Sequence, residues 1–358
     1  MVNSSFELIQ YGGDFNYYLF ELANFCAVSI FLFILYKLRF INSNSLIVWT
    51  GLFFTPLIFN YLIFTPLLFP DQFQYAGELM SLKSKGVSLP NIAFQGKDLS
   101  FSLIPGTINQ VTLSSTILGL IPIPNYMTVT SMAFSNKIVL FLSFLWLKKY
   151  FHNENIFLLY FLIPSLVLYS SLSLRDTLII TSSILFLINI MNDRFLISLI
   201  FLYILLHIKI QMFAFFSIYY IGRLVFKAHK SFVGLSIYGF VILAIVMIFD
   251  DFVITILNTY RWGFAAENFD IGSGMRGYAA WGMYGDQIRD SLELSSIQEA
   301  VYASLAGLPK LILMPLPWNW TNIFYPIQAI ESVALISLYI WLTFKYKLYE
   351  NKEYFLLL

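Results

Sequence analysis

Four of the seven arginines in this chain stand in segments where an anion could bind. Arg175 is followed by Asp176 in the stretch 169–178, which links two apolar runs. A helix that begins here directs its free amides and the positive end of its dipole towards the Arg175 guanidinium. The planar fork of arginine donors suits phosphate and pyrophosphate oxygens. In the structural alternative, Asp176 caps the helix and pairs with Arg175.

The segment 259–290 combines the other three of these arginines with carboxylates, glycines and aromatic rings. Aromatic rings can stack on sugar faces, carboxylates can bind hydroxyl groups, and glycines let a loop approach a ligand closely. The alternative is an ordinary outer loop whose Trp and Tyr residues rest in the membrane interface. The candidate ligand-binding residues of this segment are Arg261, Arg276, Tyr278, Trp281 and Arg289.

Three residues are candidates for moving a proton, and a lysine lies beside one of them. Asp71 directly follows an apolar run and could accept the proton of a hydroxyl nucleophile, with Glu78 as a second candidate; Asp71 could equally be a helix N-cap. His207 and Lys209 lie where two short apolar runs meet. Polar groups near membrane depth are costly and by default indicate function. If the short runs place this junction at the interface, Lys209 simply reaches water.

The composition places all of these residues in a membrane protein. The chain of 358 residues is 59% hydrophobic and 11% charged, whereas a soluble domain carries roughly 25% charge. We therefore predict an all-α, polytopic transmembrane bundle in which residues 1–358 form one integral membrane domain. The net charge of +1 argues against a nucleic-acid partner. The single cysteine, Cys26, and three histidines argue against a disulfide within the chain and a zinc site, and we predict no metal and no cofactor.

Nine apolar runs are long enough, or nearly so, to cross a bilayer. Lys and Arg cluster in the short loops between them, and such clusters stay on the cytoplasmic side. Placing five basic clusters inside requires nine crossings, an N-terminus on the outer side, which we expect to carry no cleaved signal peptide, and a cytoplasmic C-terminus. The predicted spans are 17–36, 46–69, 128–147, 156–174, 177–192, 195–208, 210–226, 231–249 and 324–344.

Two further segments, 105–127 and 301–317, cannot cross without inverting a basic cluster. Both are rich in small and helix-breaking residues, so we predict re-entrant or interfacial helices on the outer face. In the alternative they are full spans, which gives eleven crossings. Two outer regions, 70–127 and 250–323, are then large enough to form a site on the outer face. The cytoplasmic loops are short and hold no glycine-rich phosphate loop, so ATP-driven transport by this chain alone is not expected.

Two short motifs resemble those of bacterial polysaccharide repeat-unit polymerases of the Wzy type, which make O-antigen or capsular polysaccharide. The first is Pro-Ser followed by small polar residues and Arg-Asp at a helix start, in the stretch 164–178. The second is Leu313-Met-Pro-Leu-Pro-Trp-Asn-Trp, followed by Ile330-Glu-Ser at the last span. The resemblance covers most of the chain by architecture.

The resemblance implies an enzyme of the bacterial inner membrane that joins undecaprenyl-pyrophosphate-linked oligosaccharides at the periplasmic face, without a nucleotide sugar. It implies a chain-length-regulating co-polymerase as a possible partner, besides the membrane lipid. It points to Arg175 directly, and less directly to Pro317, Trp318 and Glu331. The step would be attack of a terminal hydroxyl on an anomeric carbon, with undecaprenyl pyrophosphate leaving. Arg175, Arg276, Arg289 or Lys209 would stabilise the charge that develops on the leaving group.

Two other functions fit the same sequence. Asp71 begins an Asp-x-x-x-Tyr pattern after an early span, which is similar to polyprenyl-phosphate-dependent glycosyltransferases, enzymes that transfer one sugar. A lipid-linked oligosaccharide flippase would move the same substrate without changing its length. The number of repeats in the product distinguishes polymerase, transferase and flippase.

Overall fold

The described part of the chain is almost entirely helical. In the computed structural model, the chain divides into two compact units, Met1–Tyr220 and Ile221–Leu358. None of the described residues lies in a strand, so the predicted all-α class is confirmed for them. The structure describes residues 15–63, 72, 75–79, 110–124, 126, 128–150, 154–229, 236, 238–241, 251, 254–255, 257–258, 293–303, 305 and 324–345.

Helices account for eight of the nine predicted apolar runs, and the ninth, 231–249, lies largely outside the described residues. A π-helical turn, Phe59–Ile63, continues the second helix, and a 3-10 turn, Lys148–Tyr150, continues the fourth. The α-helices are α1 (Phe15–Lys37), α2 (Ser43–Ile58), α3 (Gln110–Gly119), α4 (Val129–Leu147), α5 (Glu154–Phe161), α6 (Pro164–Ser170), α7 (Asp176–Met191), α8 (Phe195–Ile208), α9 (Ile210–His229) and α10 (Phe324–Lys345).

Three described helical segments are long and apolar enough to cross a bilayer: Leu19–Lys37, Ser43–Ile63 and Thr130–Tyr150. Shorter apolar helices accompany them in α7, α8, α9 and α10. The chain is therefore a helical membrane protein, and nine crossings remain a prediction. Helix α3 has ten residues, about 15 Å and half of the hydrocarbon core, so it does not cross by itself. It lies within the segment predicted to be re-entrant, 105–127.

One predicted span, 156–174, is wrong as a continuous helix. The structure divides it into α5 and α6 at Pro164, and α6 already ends at Ser170. Proline has no backbone N–H and disfavours a helical conformation in the residue before it. Ile163 accordingly has the extended ψ of 124°. Pro164 then occupies the first turn of α6, where a missing N–H costs nothing.

Helix α4 is the central helix of the first unit, and its second half is packed with aromatic rings. Phe141 and Phe144 lie against Trp49 of α2, with ring centroids 5.0 and 5.5 Å apart. Phe161 of α5 packs on Trp49 at 5.3 Å. Such pairs add about 0.5–1.5 kcal/mol each beyond the burial of their surface. This aromatic half anchors α2 and α5 to α4.

The first half of α4 is polar and fully enclosed. All eight residues from 130 to 137 are buried, including Ser131, Asn136 and Lys137. In the α4 span 72% of the residues are buried, against 22% in the α1 span, whose surface is free to face lipid. A capping box between Thr128 and Ser131 begins the helix. Protein rather than lipid therefore surrounds the polar half of α4.

Basic residues gather at one end of the first unit, which we call the basic end: Lys37, Arg39, Lys148, Lys149 and Arg194. The Lys148 ammonium donates to the backbone oxygen of Phe40, so the end of α4 is tied to the turn between α1 and α2. The Arg194 guanidinium donates to the Tyr150 hydroxyl at 2.9 Å. Three of the five clusters predicted to be cytoplasmic thus lie together: Lys37 with Arg39, Lys148 with Lys149, and Arg194. The polar half of α4 lies towards the opposite end, which we call the polar end.

In the second unit, one polar side chain links distant segments. The Asn258 amide donates to the Leu294 oxygen at 3.0 Å and accepts from the Leu294 N–H at 2.8 Å. Ser296 and Glu299 then cap the helical residues that follow, since each side chain accepts a backbone N–H. Segment 293–303 is therefore fixed to the end of the helical residues near 258.

Candidate functional site

The chain breaks its helix inside the polar layer of the first unit, between α6 and α7. Residues 171–175 are not helical, and residues 170–174 are all buried. A buried backbone without a helix must find hydrogen-bond partners elsewhere, and at membrane depth irregular backbone occurs only where protein or water covers it. The partners of this helix break are side chains of α2, of α4 and of the segment near residue 72.

Helix α2 and the π-helical turn after it hold the first residue of the break. The Asn60 amide donates to the Ser171 oxygen at 3.0 Å and to the Pro56 oxygen at 2.9 Å. Thr55 and Ser171 share a hydroxyl hydrogen bond of 2.7 Å. Pro56 has no N–H to donate to the Leu52 oxygen, and the Thr55 hydroxyl donates to that oxygen instead, at 2.7 Å. This corner fixes the end of α6.

Helix α4 holds the middle of the break through two neighbouring residues. The Asn136 amide donates to the Leu172 and Leu174 oxygens at 2.7 and 2.8 Å. The Lys137 ammonium donates to Ser170 Oγ at 2.7 Å and to the Val167 oxygen at 3.1 Å. Lys137 is completely buried, and the carbonyl it binds belongs to the last turn of α6, where the helix dipole favours a cation.

Gln72 holds the break from the other side. Its side-chain oxygen accepts the Ser173 N–H at 3.0 Å, and Gln72 is buried. Ser115 of α3 donates to the Tyr75 oxygen at 2.8 Å, which fixes the helical residues 75–79 against α3. Glu78 lies in this short helix and is half-buried. The segment that carries Glu78 is therefore attached, through Gln72, to the helix break.

Arg175 and Asp176 emerge from the break at the start of α7. Helix α7 begins at Asp176, where the sequence predicts a helix start, and Arg175 is its N-cap residue without a side-chain capping bond. Both side chains are half-buried. The first amides of a helix have no partner within it and carry the positive end of the dipole. A guanidinium and these amides together form an arrangement that can bind an oxyanion.

His207 and Lys209 lie at the same end of the bundle as Arg175. Helices α7 and α8 run antiparallel, and Ser198 donates to the Phe186 oxygen across them at 3.5 Å. Both helices rise about 1.5 Å per residue. His207 is nine residues after Ser198, and Thr177 is nine residues before Phe186, so His207 lies at the level of Thr177. By the same count, Lys209 lies at the level of Arg175.

The His207 ring is buried and packs edge-on against Tyr203, with centroids 4.7 Å apart. Neither of its nitrogens has a hydrogen-bond partner among the described residues. Lys209, by contrast, is half-buried, in the single-residue gap between α8 and α9. The structure thus brings the helix start at Arg175, the Lys209 backbone position and the His207 ring to one level of the polar end.

Three amide side chains and one hydroxyl at the break keep a polar atom without a partner. Among the described residues, Asn60 Oδ1, Gln72 Nε2, Asn136 Oδ1 and Thr177 Oγ1 are buried and have no hydrogen bond. An unpaired buried polar atom costs about 1–3 kcal/mol. Native proteins tolerate few such atoms, and groups of them call for a functional explanation. Four such atoms therefore lie at or beside the helix break.

Glu21 of α1 is a buried carboxyl that the sequence reasoning did not select. One of its oxygens accepts from Ser131 Oγ at 3.2 Å, and the other has no partner among the described residues. Ser131 and Asn136 are separated by about 140° around α4, at 100° per residue. Glu21 therefore faces the side of α4 opposite the helix break.

Tyr126, in the loop before α4, is held by protein atoms on several sides. Its hydroxyl contacts the Ile121 backbone oxygen and lies 3.1 Å from the Leu118 oxygen and 2.9 Å from Ser135 Oγ. Burial raises the pKa of Tyr126 to about 12. The hydroxyl stays protonated at neutral pH and fixes the loop; it is not a base.

Other predicted site residues lie outside the described residues, so their roles remain predictions. Among the described residues, no three of His, Cys, Asp or Glu are grouped so that they could hold a metal ion. The predicted site residues outside the described part are Asp71, Arg261, Arg276, Tyr278, Trp281, Arg289 and Trp318.

The sequence reasoning missed the residues that hold the break, and it also missed Glu21, which lies away from the break. Lys137 and Glu21 are ionisable residues within apolar runs, which is by itself a signal of function in a membrane protein. Asn60, Gln72 and Asn136 gave a weaker signal, because an amide near an apolar run can equally face lipid headgroups or water. Comparison with known proteins adds no further candidate: no family model matches the chain, and no curated protein or solved structure matches it.

Proposed function

We propose that this protein polymerises lipid-pyrophosphate-linked oligosaccharide repeat units in a bacterial inner membrane. The observation that carries the proposal is the buried helix break, which sets Arg175 at the start of α7 in a partly dry site. Lys209 lies at the same level. Two cations and a helix N-terminus suit a pyrophosphate, and a membrane bundle suits its polyprenyl chain.

The polar end faces the periplasm in this proposal. Lys and Arg accumulate in cytoplasmic loops, and the basic end collects Lys37, Lys148, Lys149 and Arg194. The helix break lies near the opposite end of α4, α7 and α8. Lipid-linked repeats would reach it from the periplasmic leaflet, where no nucleotide is available and the donor must carry its own leaving group.

The reaction would be a single glycosyl transfer. A terminal hydroxyl oxygen of one lipid-linked repeat forms a bond to the anomeric carbon of the chain on a second lipid. The bond between that carbon and the pyrophosphate oxygen breaks, and its electron pair stays on undecaprenyl pyrophosphate. Arg175 and Lys209 stabilise this charge, which appears only as the bond breaks. The hydroxyl proton passes to Asp71, Glu78 or His207; Glu21 faces away and takes no part.

The test is reconstitution of the purified full-length protein in liposomes with an undecaprenyl-pyrophosphate-linked repeat. Polymerisation gives a ladder of products and releases undecaprenyl pyrophosphate. Addition of one sugar only would identify a glycosyltransferase instead. A donor that remains one repeat long after prolonged incubation would overturn the proposal.

One observation favours a second candidate, a flippase or other transporter of an anionic lipid-linked glycan. Broken helices with their half-helix N-termini directed at anionic groups form the substrate sites of many secondary transporters. The break between α6 and α7 shares this feature. In the same liposomes, movement of labelled lipid-linked repeat between leaflets without any change of length would support transport.

Chelation should leave the reaction unaffected. Arginine, lysine and helix amides can stabilise a departing pyrophosphate without a metal, so excess EDTA in the liposome assay should not change the polymerisation rate. The control is a chelator already saturated with Mg²⁺. Loss of activity that a divalent ion restores would show that this part of the mechanism is wrong.

A further inference from the structure

A second cationic site lies at the basic end, away from the helix break. A cleft of about 450 Å³ opens beside the turn between α1 and α2, and three of the six residues that line it are cations: Lys37, Arg39 and Lys148. None of these lining residues is acidic. The other lining residues are Tyr36, Ile41 and Asn42.

The backbone of this turn is unusual at Arg39. Its φ is +63°, a left-handed conformation that side chains disfavour and glycine adopts readily. The Phe40 N–H bonds to the Leu35 oxygen and the Arg39 N–H to the Tyr36 oxygen, which together form the helix-ending motif in which glycine is usual at this position. Arginine here is unfavourable for the turn, and such outliers point to a function of the side chain.

The surroundings of the cleft complement a negative charge. Asn42 is the N-cap of α2, so the positive end of that helix opens at the cleft. Lys37 lies 5.2 Å from the centre of the Phe33 ring, and Lys148 is fixed by its bond to the Phe40 oxygen. The cleft thus joins two positioned ammonium groups, a guanidinium and a helix N-terminus.

We propose that this cleft binds a phosphate group, carried by an anionic lipid headgroup or by a soluble phosphate ester. Lys37 ends one spanning segment and Lys148 lies near the end of another, so the cleft is at the depth where lipid phosphates lie. Arg39 offers the planar donors that two phosphate oxygens accept. The site is independent of the glycan chemistry at the polar end.

Arg39→Gly separates binding from folding. Glycine fits the left-handed turn, so the lipid-free variant should keep or exceed the thermal midpoint of the wild type. Its affinity for phosphatidylglycerol, measured by native mass spectrometry on the full-length protein in detergent, should fall at least about tenfold, as expected for a lost charge-assisted hydrogen bond. Zwitterionic phosphatidylcholine is the lipid control.

Two matched variants show whether the cleft itself is responsible. Asp193→Gly relieves the second non-glycine residue with a positive φ among the described residues, at φ 60°, outside the cleft. Lys149→Ala removes a neighbouring cation that lies over Trp146 rather than in the cleft. Both should bind phosphatidylglycerol as the wild type does. Equal weakening by Lys149→Ala and Arg39→Gly would mean only a general basic surface and would overturn the proposal.

Titration with inorganic phosphate and glycerol phosphate identifies the source. Binding of phosphatidylglycerol that these soluble anions do not displace assigns the site to a lipid. If the soluble anions displace phosphatidylglycerol, and if they stabilise the wild type but not Arg39→Gly, the site is assigned to a soluble phosphate ester. Failure of the wild type to bind either kind of phosphate would overturn the proposal.

Discussion

Cells that make the Arg175→Ala variant should accumulate lipid anchors that carry a single repeat, and the polymer ladder should disappear. Arg175 stands at the start of α7, where the departing pyrophosphate would acquire its charge. Removing one donor to such a charge typically lowers the rate about 100- to 1000-fold. Gel analysis of the surface glycan in a strain that lacks the native protein measures the effect.

The matched control is Arg194→Ala. Arg194 is also an N-cap residue, at the start of α8, but at the basic end, where it bonds to Tyr150. This variant should retain the ladder. Arg175→Lys should retain part of it, because lysine keeps the charge but not the planar fork. Membrane abundance of all three variants must match the wild type, and a normal ladder from Arg175→Ala would remove the leading site.

Asn136→Leu should destabilise the first unit strongly. In the variant, the Leu172 and Leu174 oxygens lose the hydrogen bonds that Asn136 donates. Both oxygens lie in the buried, non-helical break. At about 1–3 kcal/mol for each unpaired oxygen, the expected loss from the two oxygens is about 2–6 kcal/mol. The thermal midpoint of the detergent-solubilised protein measures it, and polymerisation should fall with it, since the break positions Arg175.

Asn189→Leu provides the comparison for this variant. Asn189 is as completely buried as Asn136, but its amide bonds to the Leu185 oxygen within α7. That oxygen retains its helical partner when the side chain is replaced. The change should therefore leave the midpoint almost unaffected. A large fall for Asn189→Leu, or none for Asn136→Leu, would show that the break is not held in the way described.

The sequence was sufficient for most of the described helices and for one part of the candidate site. Apolar runs predict α1, α4 and α8 to within two residues, because long apolar stretches leave little choice of structure in a membrane. The helix start at Asp176 also followed from its local pattern. Pro164 was present in the sequence, yet the run around it was predicted as continuous, since prolines are tolerated in membrane helices when neighbours satisfy the freed groups.

The sequence did not predict which residues are the hydrogen-bond partners of the buried polar side chains. Asn136 and Lys137 bind residues some thirty positions later, and Gln72 binds a residue 101 positions later. Such pairs depend on how helices pack, and no local periodicity encodes them. A polar residue in an apolar run shows that a partner must exist, without showing which one. Glu21 and Lys137 gave that signal, but they were not among the predicted site residues, most of which were expected in loops.

Lys137 has a consequence for the order in which the protein is assembled. Helix α4 is synthesised before α6, so Lys137 enters the bilayer when Val167 and Ser170 do not yet exist. A lysine at the centre of an inserting helix costs about 2.5–3.5 kcal/mol. The polar half of α4 is therefore expected to stay near the translocon or the membrane surface until the following helix pair arrives. Biogenesis of the bundle is thus tied to its broken helix, and chains that terminate before Pro164 should be recognised as incomplete and degraded.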